Sequence, residues 1–386
     1  MKTEKYSTGY WFIIEPFVFI GYTNKCVLLY NTIDGVVLKS KKIEVIQLIK
    51  EILQESNCGV VFLENDRYNL KNIYDFIREL REKYMGDIID VSLSNSKPVQ
   101  LLPYCNYLDK QEVYKKLSFS TDVNLLKNLF EITVYVNVNT HFSPIISFLK
   151  SIESKTIVNV VWDVIDFDIC DELMSFFEQK YSEKYIICSY EDVIQLYFIF
   201  KNSVSYKVSV CFSADRQKIY DSMRMLINCN VSFECVFYVS SEKEYEEAEE
   251  LVDHFELNKY RFDPVYTGDN IHFFEDYVFL TEEDILSTSM TIKDFFMHKS
   301  INIYDFGKIN IMSNGDVYAN LNYPILGNIY IDNIYEIIQK EVDDGKSWFR
   351  IRNQSPCNDC IYQWLCPSPS NNEIAIGRPN LCYVKP

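Results

Sequence analysis

The chain has 386 residues, and 48% of them are hydrophobic, enough for real cores and too many for wholesale disorder. Fifty-five acidic against 38 basic side chains leave a formal charge of −17, a field that repels phosphate backbones and anionic lipid. Nucleic acid and membrane surfaces are therefore not expected partners. No run approaches the roughly 20 apolar residues of a membrane span, and the apolar Trp11–Ile20 stretch is interrupted by Glu15 and Pro16, unlike a secretory signal. A cytoplasmic location is expected.

Residues 10–85 open with three β-rich runs, Trp11–Tyr22, Cys26–Asn31 and Gly35–Lys39, with Asp34-Gly35 as a hairpin turn. A helix is predicted over Ile43–Leu53 from apolar residues Ile43, Ile46, Ile49, Ile52 and Leu53. A strand at Val60–Leu63 and an amphipathic helix at Asn69–Tyr84 follow. Three strands followed by helices suggest a small winged-helix-like module over residues 1–86.

Residues 87–300 alternate instead. Strand-like runs begin near Ile88, Glu131, Ile157, Lys184, Tyr206, Phe233 and Arg261, with helical stretches between them such as Cys170–Lys180, Glu191–Lys201, Arg216–Asn228 and Glu242–His254. That period predicts an α/β fold of parallel strands with covering helices, a complete or partial β/α barrel, with a doubly wound open sheet as the alternative. Glu242–Glu256 is strongly acidic, yet Tyr245, Ala248, Leu251, Val252 and Phe255 recur at helical spacing, so a solvated helix face is expected rather than a binding tail. Asp163, Asp166 and Asp168 follow the Ile157–Trp162 strand and read as a solvated loop rather than a carboxylate site.

No glycine lies between Gly86 and Gly268, so that stretch holds neither a phosphate-cradling loop nor a dinucleotide fingerprint. The four histidines (His141, His254, His272, His298) lack zinc-hydrolase spacing, and there is no GxSxG elbow. Of the 12 cysteines, Cys26, Cys58, Cys105, Cys170, Cys188, Cys211, Cys229 and Cys235 are scattered and read as small buried hydrophobes.

Residues 301–386 begin with a predicted hairpin, Ile309–Met312 and Val317–Asn320 around Ser313-Asn314-Gly315-Asp316, then a helix at Asn333–Glu341. The remaining four cysteines follow as Cys357-Asn358-Asp359-Cys360, then Cys366-Pro367, then Cys382. Two thiolates three positions apart, a third close behind and a fourth from a distal loop suit a tetrahedral zinc or a 4Fe-4S cube.

Gly315-Asp316-Val317-Tyr318, Leu326-Gly327-Asn328-Ile329 and this CX2CX5C run with its distal Cys resemble the SPASM domain of radical SAM peptide maturases. The resemblance implies one auxiliary 4Fe-4S cluster on Cys357, Cys360, Cys366 and Cys382, with zinc as the alternative. A second cluster is not implied, because Asn320 and Ser370 stand where further cysteines would be. The corresponding barrel would need CX3CX2C after its first strand. Here Ile88–Leu93 is followed by Ser94-Asn95-Ser96-Lys97-Pro98 and a lone Cys105, so reductive cleavage of SAM is not expected and no catalytic residue is assigned.

With Trp11-Phe12-Ile13-Ile14-Glu15-Pro16, Leu29-Tyr30-Asn31-Thr32 and Trp364-Leu365-Cys366-Pro367, the chain resembles pseudo-radical-SAM/SPASM proteins that accompany double-glycine (GG-Bacteroidales-type) natural product precursors. That implies a degenerate radical SAM-like barrel, a front element that recognises a precursor leader peptide, and a true radical SAM maturase as partner. Leader pairing as an extra strand would involve Val36, Val37 and Leu38 and the helix residues Ile73, Phe76, Ile77 and Leu80. The expected function is a non-catalytic partner in ribosomal peptide maturation. The alternatives are a peptide-modifying enzyme that uses the remaining cluster or barrel without SAM, and a zinc-stapled scaffold.

Overall fold

The structure is a computed structural model that describes residues 8–94, 96–103, 122–152, 155–162, 171–178, 183–200, 204–212 and 216–385. Its first strands are β1 (Gly9–Ile14), β2 (Val18–Tyr22), β3 (Val27–Asn31) and β4 (Val37–Ser40). Helix α1 (Ile43–Ile52), β5 (Val60–Glu64), α2 (Asn65–Tyr68), α3 (Lys71–Glu82) and β6 (Gly86–Asp90) complete the front of the chain.

The Trp11–Tyr22 run, expected as one strand, is two. Pro16 has no N–H for a ladder, and the chain turns there, with Val18 N–H bonded to the Glu15 carbonyl at 3.1 Å. The break sends β1 and β2 into different antiparallel sheets, β5-β1-β6 and β2-β3-β4. The expected Asp34-Gly35 turn forms with Gly35 at φ 75°, a conformation that favours glycine.

The front core gathers Phe12, Ile20, Leu29, Leu38, Ile49, Val61, Ile73, Phe76, Ile77 and Leu80 between the sheets and the helices. The opposite face of β2-β3-β4 carries Phe19, Leu28 and Tyr30 onto the C-terminal third. There they meet Phe295, Tyr362 and Leu365, and Phe19 stacks on Phe295 at 3.8 Å between ring centroids.

Among the described residues, α4 (Asp122–Lys127) precedes the main sheet. Its strands alternate with helices: β7 (Glu131–Val136), α5 (Phe142–Ser151), β8 (Ile157–Trp162), α6 (Asp171–Glu178), β9 (Lys184–Ser189), α7 (Val193–Phe200) and β10 (Ser205–Cys211). The alternation continues through α8 (Arg216–Asn228), β11 (Phe233–Val239), α9 (Glu242–Phe255) and β12 (Tyr260–Pro264). β7 to β12 are parallel and lie side by side in chain order, and the described sheet is open, with β12 at one edge. Right-handed crossovers that always advance the same way put their helices on one face. Burial agrees: Ile132, Val134 and Val136 of β7 are buried with Ile145, Ile146 and Leu149 of α5, while Glu131, Thr133 and Tyr135 on the other face are half-buried. The acidic run is helix α9, with Ala248 and Leu251 buried, as its apolar spacing requires.

α10 (Ile271–Tyr277), α11 (Glu282–Ser287) and α12 (Ile292–Ser300) lead back to the sheet. The predicted hairpin is β13 (Lys308–Ile311) with β14 (Asp316–Tyr318). It does not stand apart: β13 pairs in parallel with β7, so the hairpin and β15 (Gly327–Asn328) extend the main sheet beyond its first strand. Helices α13 (Ile334–Asp344) and α14 (Asn371–Ile376) flank the cysteine-rich segment.

Candidate metal centre and peptide cleft

Consecutive tight turns wind the cysteine segment: Cys360 N–H bonds the Cys357 carbonyl at 3.1 Å, and Cys366 N–H bonds the Tyr362 carbonyl at 2.9 Å. The distal cysteine comes back by a short parallel pairing. Leu280 N–H donates to the Leu381 carbonyl and Tyr383 N–H to the Leu280 carbonyl, both at 3.0 Å. The result is one chamber lined by Cys357, Cys360, Cys366 and Cys382, with Leu280, Ile285, Leu381 and Val384 as apolar wall. Its cavity volume is about 20 Å³.

Donors surround the sulfurs. Asn380 Nδ2 lies 2.9 Å from Cys382 Sγ, Arg352 Nη1 lies 3.9 Å from Cys357 Sγ, and the Tyr362 backbone N–H bonds Cys360 sulfur. Such donors favour charged thiolates. Burial acts the other way, pushing the Cys357 and Cys360 thiols up and Cys366 up to about 12. A metal group entering the chamber therefore has to expel thiol protons, and its affinity rises with pH.

The donor set fits a thiolate-held group, since all four ligands are sulfur and a guanidinium stands by to offset negative charge. Among the described residues no three His, Cys, Asp or Glu side chains are gathered closely enough to hold a single metal ion. The four cysteines are brought together as lining of one chamber.

Arg352 is held from several sides. Nη2 pairs with Glu373 on α14 at 2.8 Å, Nε reaches the Pro367 carbonyl, and its own carbonyl accepts from Gln363. Both members of the ion pair are buried, with 8% and 6% of their side chains exposed. Burial pushes the Glu373 carboxyl up, and Arg352 offsets that only in part.

Asn320, which occupies a would-be cysteine position, is buried in an oxygen and amide network. Its Nδ2 donates to both Asp305 carboxylate oxygens at 3.1 Å and to Asn371 Oδ1 at 2.7 Å. Ser370, the other such position, precedes α14 as its N-cap. No thiol takes part in that network.

Of the residues expected to hold a peptide strand, Leu38, Ile73, Phe76, Ile77 and Leu80 are buried in the front core, each at most 5% exposed. Val36 is open and Val37 half-buried. The apolar stripe that suggested a groove is what packs the module together. The strand edge is nevertheless present: β4 pairs only with β3 among the described residues.

The scattered cysteines divide. Cys26, Cys188 and Cys235 are buried as expected, and burial pushes the last two up to about 12. Cys58 and Cys211 are exposed, because one caps a left-handed turn and the other ends β10. Cys105, Cys170, Asp163, Asp166 and Asp168 lie outside the described residues.

Opposite the face packed by α5, the main sheet carries an Arg261–Asp263 ion pair on its edge strand β12 and a charge cluster around Glu131. Glu131 pairs with Lys308 at 3.2 Å and Lys207 at 3.9 Å and accepts from Asn159, while Lys207 lies over the Tyr185 ring at 4.4 Å. These side chains sit toward the starts of their strands, opposite the strand ends where α/β sheets bind ligands, so the cluster is structural. Burial disfavours the Glu131 carboxylate, but Lys308 and Lys207 outweigh it and hold its pKa below the ordinary value of 4.5. Its stabilising contribution is therefore complete above that value and is lost as pH falls through the lower folded-state pKa. Glu131→Gln should flatten the acid limb of the stability curve, measured by urea unfolding from about pH 5 down to about pH 3.

No helix among the described residues is long and apolar enough to cross a membrane. No family model and no curated protein matches the chain. Among solved structures, the crystal structure of Streptococcus suis SuiB bound to precursor peptide SuiA is similar over 97% of this chain and 99% of that chain, with 12% sequence identity and a TM-score of 0.42. At that level of superposition the likeness transfers neither fold nor residues.

Proposed function

We propose that this chain is a non-catalytic, radical-SAM-like partner in the maturation of a ribosomally made peptide. In this reading the front module binds a precursor leader on the β4 edge, the main sheet is a degenerate partial barrel that presents the core peptide or docks a true radical SAM maturase, and the C-terminal segment carries one 4Fe-4S cluster. The observation that carries it is the sulfur-lined chamber. Four thiols from Cys357, Cys360, Cys366 and Cys382 share it with N–H donors and a buried guanidinium.

The Asn320 network supports a single cluster, because it supplies oxygens and amides where more thiols would be needed. The unreversed order of β7 to β12 supports a partial barrel over a doubly wound sheet, whose order reverses at a switch point.

When bound, a cluster with four cysteine ligands supplies cross-linking and one-electron transfer. The chain's own residues do the rest. Arg352 and Asn380 orient the sulfurs, Leu280, Ile285 and Val384 limit water, and Pro367 and Ser368 carbonyls hold Arg352 in place.

Anaerobic purification with iron, sulfide and zinc quantified, followed by a SAM cleavage assay under reducing conditions, tests the reading. About four irons and four sulfides per chain with no 5′-deoxyadenosine is the expected result. One zinc per chain leaves only a stapled scaffold. About eight irons, or 5′-deoxyadenosine production, overturns the non-catalytic assignment.

A further inference from the structure

Next to the cysteine chamber, and sharing Cys360 and Val384 with it, a broader cleft separates the front module from the C-terminal segment. Its volume is about 820 Å³, against about 20 Å³ for the chamber. Its charge runs against that of the chain. Lys25, Lys39, Lys41 and Lys385 line it against the two carboxylates Glu282 and Asp359, while the whole chain carries −17.

Lys39 is committed, since it pairs with Glu282 and donates to the Tyr362 hydroxyl at 2.6 Å. Among the described residues Lys25, Lys41 and Lys385 form no ion pair, and Lys25 and Lys41 are exposed. Three ammonium groups thus stand at the cleft outside any ion pair among the described residues, with Glu282 acting on Lys41 only from beyond contact distance.

The cleft also reaches the end of β4. Asn31 N–H bonds the Val36 carbonyl at 2.9 Å, so the Val36 carbonyl and the Leu38 backbone groups face β3, while the Val36 N–H bonds Asp34 Oδ1 at 3.0 Å. By alternation Val37 and Lys39 turn theirs outward. The outward Val37 carbonyl is taken by the Lys83 ammonium at 2.9 Å, and the outward N–H and C=O of Lys39 have no strand partner among the described residues. A main-chain template and a set of lysines outside ion pairs therefore meet at one place.

We propose that this cleft binds an extended acidic peptide segment as an added strand on β4, its carboxylates meeting Lys25, Lys41 and Lys385. Main-chain bonds supply affinity and the lysines supply selection. A folded acidic surface would answer the charges but leave the Lys39 backbone groups unpaired. The inference rests on the leader-binding part of the proposed function and adds the chemical class of the segment. It does not depend on the cluster.

The test titrates the full-length protein into three fluorescein-labelled dodecapeptides: alternating Val and Glu, alternating Val and Gln, and the Val-Glu peptide N-methylated at every second residue. Fluorescence anisotropy is read at ~20 mM and at ~500 mM salt. The Val-Glu peptide should bind about tenfold more tightly than Val-Gln at low salt, with the gap closing at high salt. The exposed double charge reversal Lys25→Glu/Lys41→Glu should erase that gap, and N-methylation should abolish binding. Equal affinity for the Glu and Gln peptides, or a gap the double variant leaves intact, overturns the charge assignment. If the Gln peptide still binds in an N-methylation-sensitive way, leader binding on β4 survives that failure. Undiminished binding of the N-methylated peptide overturns the added strand, and absence of all binding by protein carrying its iron and sulfide overturns the inference while the metal assignment stands.

Discussion

Cys366→Ala should reduce bound iron and sulfide from about four each per chain to near zero, together with the visible absorption of the anaerobically purified protein. The expectation follows from the chamber. Cys366 is held by the turn from Tyr362, and its thiol is pushed up to about 12 because burial deprives the charged form of water. That same burial keeps a bound group away from competing water once the proton has left. Three remaining sulfurs leave one iron without a protein ligand and a gap in the apolar wall. Cys58→Ala, at an exposed thiol in the front module, should leave the metal content unchanged. If Cys366→Ala retains full iron and sulfide, the chamber is not the metal centre.

Glu373→Gln should cost about 3–5 kcal/mol of stability, because it strands a buried guanidinium. Arg352 is 8% exposed, and its counter-charge sits 2.8 Å away. Its other partners are the Pro367 and Ser368 carbonyls, which bond the guanidinium without neutralising it, and Cys357 Sγ at the longer distance of 3.9 Å. Removing the charge from both partners, as in Arg352→Gln/Glu373→Gln, should recover part of the loss, so the double variant is more stable than the single one. Urea unfolding followed by tryptophan fluorescence measures both. A loss within about 0.5 kcal/mol for Glu373→Gln would mean that Arg352 reaches water and that the pair contributes little, as exposed pairs do. The variant has a second readout, since a displaced Arg352 would withdraw its Nη1 from Cys357 and make reconstitution with iron and sulfide less complete.

These two predictions rest on residues that the sequence brought forward to different degrees. The four cysteines were legible because three of them lie within ten positions, and tight turns of that length can only place them together. Arg352 stands only five positions before Cys357, but its pairing with Glu373 depends on where α14 docks. Six of the seven strands expected in the middle region, β7 to β12, begin within one residue of the expected positions, because a buried strand and its covering helix impose the same two periods wherever they occur. The seventh, the Ile88 run, is instead β6, paired antiparallel with β1 in the front sheet.

The groove residues show where that logic stops. Alternation in β4 and the apolar stripe of α3 mark a buried face, but burial by the protein's own core and burial by a visiting peptide demand the same residue types. Here the core took Leu38, Ile73, Phe76, Ile77 and Leu80. The split of Trp11–Tyr22 was written in Pro16, although which sheet each half would join was not.

The sequence by itself determined the acidic balance, the strand-helix period of the middle region, the thiol spacing, and the lack of a second cysteine set, because each is a property of neighbouring residues. Only the tertiary structure decided the basic cleft. Lys25, Lys39 and Lys41 meet Lys385 across more than three hundred residues of chain, and no local pattern encodes that meeting. It arises because the apolar face of β2-β3-β4 packs on Phe295, Tyr362 and Leu365, which brings the front module alongside the cysteine segment.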